Sequence, residues 1–107
     1  MPPVDQISLI RKFEFFSKLC ELSFIKSIFL YGSRARGDFS DKSDIDIAIN
    51  MPGSTPEDWE IIMRIIDDAD TLLPIDCVRF DTLKNVDLKN AIEKDKVILF
   101  NRKHEND

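Results

Sequence analysis

Long apolar runs are missing from this chain: none reaches the roughly 18 residues that a membrane-crossing helix needs. The opening Met1-Pro2-Pro3-Val4-Asp5 has neither the basic start nor the apolar middle of a signal peptide, which predicts a soluble protein of the cytoplasm. Cysteine is scarce, and Cys20 and Cys77 stand far apart in apolar surroundings. Two buried thiols are expected there, not a disulfide or a metal pair. The lone histidine, His104, falls in a polar tail, Asn101 to Asp107, and is expected to be disordered instead of ligating. Positive charge is short as well: 15 Lys and Arg against 20 Asp and Glu leave a net charge of -5. That balance speaks against a broad phosphate-backbone footprint and disfavours nucleic acid as a partner. Repeats and low-complexity segments are absent. With 107 residues, 43% of them hydrophobic, the chain reads as one domain, 1–107, with a small core.

Against this plain background one stretch is rich in chemistry. Gly32-Ser33 is followed by Arg34-Ala35-Arg36-Gly37, a polar loop, and Asp44-Ile45-Asp46. In a strand alternate side chains share a face, so Asp44 and Asp46 project together while Ile45 and Ile47 project to the other side. Two carboxylates on one face repel each other unless a cation sits between them, and hard oxygen ligands without nearby His or Cys favour Mg²⁺. A Gly-Ser pair adds what a metal-bound triphosphate needs, namely close backbone approach and hydroxyl and N–H donors. An Asp-x-Asp alone is common. The four positions at this spacing arise by chance in about one chain of this length in a thousand, which favours a nucleotide site over an ordinary turn and a solvated strand end.

The rest of the chain alternates between helical and extended patterns. Ile7, Ile10, Phe13, Phe16, Leu19 and Cys20 recur at helical spacing and predict one helix, with Asp5 as its cap. Ile25 to Tyr31 reads as a strand that delivers Gly32-Ser33 at its end, and Ile45 to Asn50 reads as the next. Thr55, with Pro56 behind it and Glu57 and Asp58 in the first turn, starts a helix striped by Trp59, Ile62, Met63, Ile66, Ala69 and Leu73 and ended by Pro74. Trp59 fits that stripe as a core or partner-facing anchor better than as a base-stacking residue. A strand from Ile75 to Phe80, a short helix around Asp87 to Lys94 and a strand from Lys96 to Phe100 complete the pattern. Asp76 lies in the apolar third strand, where an unpaired carboxylate is costly unless it meets a cation or donors. It is the candidate third ligand. Asp67, Asp68, Asp70 and Asp81 compete for the role from a helix face or from element ends.

The run Tyr31-Gly32-Ser33-Arg34-Ala35-Arg36-Gly37 followed by Ser43-Asp44-Ile45-Asp46-Ile47 resembles the signature of the DNA polymerase beta-type nucleotidyltransferase superfamily, and within it the minimal nucleotidyltransferase (MNT) group. The resemblance spans about Phe24 to Phe100. It implies an α+β fold, a small mixed β-sheet with helices packed on one side, forming a single minimal nucleotidyltransferase domain. It also implies a third acidic residue on a later strand, which favours Asp76.

The implied activity is transfer of AMP from ATP, with Mg²⁺ as cofactor, a pair of ions being expected. Asp44 and Asp46 would bridge the metals, and Asp76 would complete the catalytic one and take the acceptor's proton. Gly32 and Ser33 would hold the phosphates. Either Arg34 or Arg36 would steady the leaving pyrophosphate, or else at least one of them only solvates the loop or pairs with Asp38 or Asp41. Larger members of the superfamily carry further domains for nucleoside and acceptor, so another polypeptide is expected to supply that surface. The resemblance implies an all-helical HEPN toxin as partner, with a tyrosine hydroxyl as acceptor and this chain as antitoxin. Two alternatives stay open: a nucleotide-binding module that neutralises its partner by contact, and a small-molecule (aminoglycoside-type) nucleotidyltransferase. Homo-oligomerisation is also left open.

Overall fold

The computed structural model describes residues 3–102; His104 and its neighbours in the tail lie outside them. Where one N-terminal helix is predicted, the chain forms two, α1 (Val4–Arg11) and α2 (Glu14–Cys20). Asp5 sits in the first turn of α1 and does not cap it, because Pro3 occupies that position. The break has a cause elsewhere in the sequence. Asp70 accepts the backbone N–H groups of Glu14 at 3.0 Å and Phe15 at 3.1 Å, so a distant carboxylate caps a fresh helix start.

Next come β1 (Ser27–Tyr31), a four-residue turn of helix α3 (Ser33–Arg36), and β2 (Ile45–Asn50). Helix α4 (Pro56–Asp67) begins as its sequence predicts: Thr55 and Asp58 exchange side-chain-to-backbone bonds of 3.1 and 3.0 Å in a capping box, with Pro56 in the first turn. It stops short of Pro74, and Ala69 and Leu73 pack onto the core from the connection that follows. Strand β3 (Ile75–Arg79), helix α5 (Val86–Asp95) and strand β4 (Val97–Asn101) follow. Asn101 therefore belongs to the sheet and not to the tail.

The four strands form one mixed sheet in the order β3-β2-β1-β4. β1 runs antiparallel to both β2 and β4, whereas β2 and β3 are parallel. Parallel neighbours need a crossover, which α4 supplies. On one face Ile28, Leu30, Ile45, Ile47, Ile49 and Leu99 pack against Ile10 of α1, Phe15, Phe16 and Leu19 of α2, and Ile62 of α4. Each such side chain contributes about 1.5–3 kcal/mol by leaving water. The predicted one-sided packing holds for these three helices. Helix α5 lies on the opposite face, where Ile92 packs with Phe29, Tyr31 and Ala48. Trp59 is partly buried against the main core, as its stripe predicts. Both cysteines are free, and burial, then the Asp76 charge, pushes the Cys77 thiol up to about 12. Among the described residues no helix is long and apolar enough to cross a membrane.

Candidate active site

Strand register assembles the site. Tyr31 on β1 is paired with Asp46 on β2, and Asp46 with Asp76 on β3. Paired residues share a face, so the three form a row across adjacent strands, on the side away from the main core. Asp44 lies one residue before β2. Burial first, then the charges of Asp76 and Asp44, raise the Asp46 carboxyl to about 6 from an ordinary 3.8, against the opposing pull of Arg36 and Arg34. Asp44 and Asp76 are exposed and Asp46 is half-buried, so the row opens to solvent. Asp76 owes its position to register and not, as the apolar strand suggested, to burial of its carboxylate.

The competing aspartates have other work. Asp70 caps α2, and the Glu14 backbone bond leads the effects that hold its carboxyl below the usual range. Burial alone would raise Asp81, but bonds from Arg79 and the Met51 N–H outweigh it and lower the group. Asp67 ends α4.

Gly32 turns the chain out of β1 at φ 73 and ψ -156, a region open essentially to glycine alone. A Cβ at this position would also run into Oδ2 of Asp46. The corner and the acidic row are thus in contact, and Ser33 opens α3 directly beside them.

The two arginines of the motif differ. Arg34 is buried, and its guanidinium donates to the carbonyls of Ser40, Asp41 and Ser43 at 3.0 to 3.4 Å and to Oε1 of Gln6 at 2.7 Å. It also stacks 5.0 Å from the Phe39 ring centroid. Its donors are therefore engaged in stapling the loop between α3 and β2, which corrects the expectation of a free phosphate donor. Arg36 is exposed and bonds Asp95 at 3.0 Å and Asp38 at 3.2 Å. Pairing with Asp38 was one of the two readings left open.

Tyr31 is the residue to which sequence reasoning gave no role. Among the described residues its hydroxyl is the buried side-chain polar atom without a hydrogen-bond partner. Burial, then the charges of Asp76 and Asp46, raise the phenol far above its ordinary value and keep it protonated. A buried donor left unmatched costs about 1–3 kcal/mol. The signal was present in the alternation, since Phe29 and Tyr31 share a face and that face ends beside Asp46.

Residues 15–105 match the family model described as polymerase beta, nucleotidyltransferase. The chain belongs to that family. A protein of Methanocaldococcus jannaschii, provisionally named a protein adenylyltransferase, is 30% identical over an alignment of 73 residues that covers 66% of this chain and 73% of the relative. Among solved structures, a provisionally named nucleotidyltransferase from Sulfolobus solfataricus matches 94% of this chain and 84% of its own at 22% identity, with a TM-score of 0.58. A mutant of the toxin–antitoxin complex MntA-HpeT matches 92% of this chain and 74% of its own at 16% identity and a TM-score of 0.60. A toxin–antitoxin structure with AMP-PNP matches 83% and 73% at 21% identity and 0.58. At these identities the likeness is one of fold, and it agrees with the mixed-sheet α+β architecture. Among the described residues of this nucleotidyltransferase domain, no three or more acidic, histidine or cysteine side chains are gathered closely enough to hold a metal ion by themselves. The row offers oxygen donors only.

Proposed function

We propose that this domain transfers AMP from ATP to a hydroxyl of a partner protein, and that it serves in the cytoplasm as the antitoxin of a HEPN/MNT toxin–antitoxin pair. The observation that carries this reading is the Asp46–Asp76 row across adjacent strands, with Gly32 packed directly against Asp46. The adenylyltransferase name of the Methanocaldococcus relative and the toxin–antitoxin titles of two solved structures support it. One of those complexes carries aspartate-to-glutamate changes two positions apart, the spacing of Asp44 and Asp46.

In the reaction an acceptor oxygen bonds to the alpha-phosphorus of ATP as the bond to the bridging oxygen breaks, and pyrophosphate leaves. Gly32 and Ser33 bind the beta- and gamma-phosphates, the first by close backbone approach and the second by its hydroxyl. Asp44, Asp46 and Asp76 would hold Mg²⁺ together with the phosphates of the nucleotide, and the ion would supply charge neutralisation of the triphosphate. Mg²⁺ binds through one or two carboxylates plus substrate phosphates and retained waters, so an open donor set suits it. Asp76, exposed on the outermost strand, takes the acceptor's proton. Arg36 is the cation left to meet the pyrophosphate, at the expense of its pairings with Asp38 and Asp95.

The test is the intact mass of the partner protein before and after incubation with ATP and Mg²⁺. The expected result is one added AMP group, lost when Asp44→Asn and Asp46→Asn are combined in a chain that still folds. Continued transfer by that folded variant would remove the acidic row from the reaction. A stable complex without any mass change would replace the enzyme with a module that neutralises by contact.

A further inference from the structure

The Tyr31 hydroxyl has no task in the reaction above and makes no hydrogen bond of full geometry among the described residues. Tyr31 is only 7% exposed, and buried donors without partners are rare enough in native proteins to need a reason. Packing does not supply one, because Phe29, two residues earlier on the same face, fills its share of that core without a hydroxyl. Register does supply one. Tyr31, Asp46 and Asp76 occupy one row on three neighbouring strands. Two strand spacings, roughly 9 to 10 Å, separate the backbones of Tyr31 and Asp76, a span that a phenol and a carboxylate bridge from its two ends. Asp76 and Asp46 are the carboxylates whose charge acts on the phenol, and of the two Asp76 also comes within side-chain bonding reach of it.

We propose that Tyr31 is a positioning residue, whose hydroxyl donates to the Asp76 carboxylate when the acidic row takes up a divalent cation and holds that carboxylate in its ligating orientation. The inference rests on the cation site proposed above. Carboxylates that bind metals are themselves held by hydrogen bonds, and loss of such a bond typically weakens metal affinity about 10- to 100-fold. Removing the hydroxyl should therefore weaken the cation and spare the fold.

The experiment titrates the full chain and its Tyr31→Phe variant with Mn²⁺, with and without ATP, following the free ion by electron paramagnetic resonance. In parallel, Mg²⁺ is added to chain carrying ¹³C-labelled tyrosine; because the chain has a single tyrosine, the signal belongs to Tyr31. The expected result is Mn²⁺ binding that depends on Asp46 and falls about ten-fold in Tyr31→Phe. The thermal midpoint should be equal or slightly higher, and the Tyr31 resonance should move with Mg²⁺ in the wild type but not in Asp76→Asn. Equal Mn²⁺ affinity in the two chains, with an unmoved resonance, overturns the role of Tyr31 and leaves the cation site standing. Wild-type Mn²⁺ binding that survives Asp46→Asn unchanged overturns the site, and this inference with it.

Discussion

Gly32 meets two constraints at once, a backbone angle that side chains avoid and a carboxylate oxygen where a Cβ would lie. Gly32→Ala should lower stability by about 2–3 kcal/mol, read from urea unfolding, and an unshifted midpoint would show that the corner yields. Arg34 is tied just as tightly. Arg34→Lys keeps the charge but loses the planar fork that reaches three carbonyls and Gln6, so unfolding should ease by about 2 kcal/mol. At this scale the sequence was legible where chemistry is local. Gly32, Ser33, Asp44 and Asp46 announce themselves by spacing, and Asp76 by polarity in an apolar strand. Arg34 and Arg36 looked alike, two cations beside a turn. What separates them is the path of the loop from Ser40 to Ser43, which gathers carbonyls around one guanidinium and leaves the other to Asp38 and Asp95. Arg102 repeats the theme by donating to the carbonyls of Cys20, Leu22 and Ile25.

Among the elements, those with local start and stop signals were readable. The Thr55-Pro56 start of α4 is an example, and Thr55→Ala should cost about 1 kcal/mol in a thermal melt through loss of the capping box. The break between α1 and α2 was not readable, because the apolar period continues across it while the capping carboxylate comes from 56 residues away. Asp70→Ala should speed amide exchange at Glu14 and Phe15; unchanged exchange there would mean that the break has another cause. The α3 turn has too few residues to show a period. The placement of α5 on the second face escaped notice because its stripe is weak, with Ile92 as its buried anchor. Strand identity was legible from apolar runs, but the register that aligns Asp46 with Asp76 is a tertiary fact.

For the whole molecule, the acidic row trades stability against pH. Asp46 stands at about 6 when folded against 3.8 ordinarily, so between those values the folded chain keeps a proton that the unfolded chain has released. The stabilisation from neutral Asp46 is present in full below about pH 4 and lost as pH rises through about 6. Asp70 and Asp81, both lowered, work in the opposite direction, so the comparison with a variant isolates the effect. Without divalent cations, Asp46→Asn should remove this decline and raise the thermal midpoint at pH 7 by a few degrees. A variant that melts at or below the wild type at that pH would show that an ionised, half-buried Asp46 costs the fold nothing.

The strand order also sets a schedule. β1, which carries Tyr31 and leads into Gly32, lies inside the sheet between β2 and β4. Its first neighbour follows it closely in the chain, whereas the second arrives only with β4, where Ser27 meets Asn101 across a separation of 74 residues. A nascent chain can pair β1 with β2, cross over through α4 and add β3 while the other flank of β1 still lies open. Closure of that flank waits until Asn101 has left the ribosome, so the strand that organises the acidic row is among the last to be enclosed.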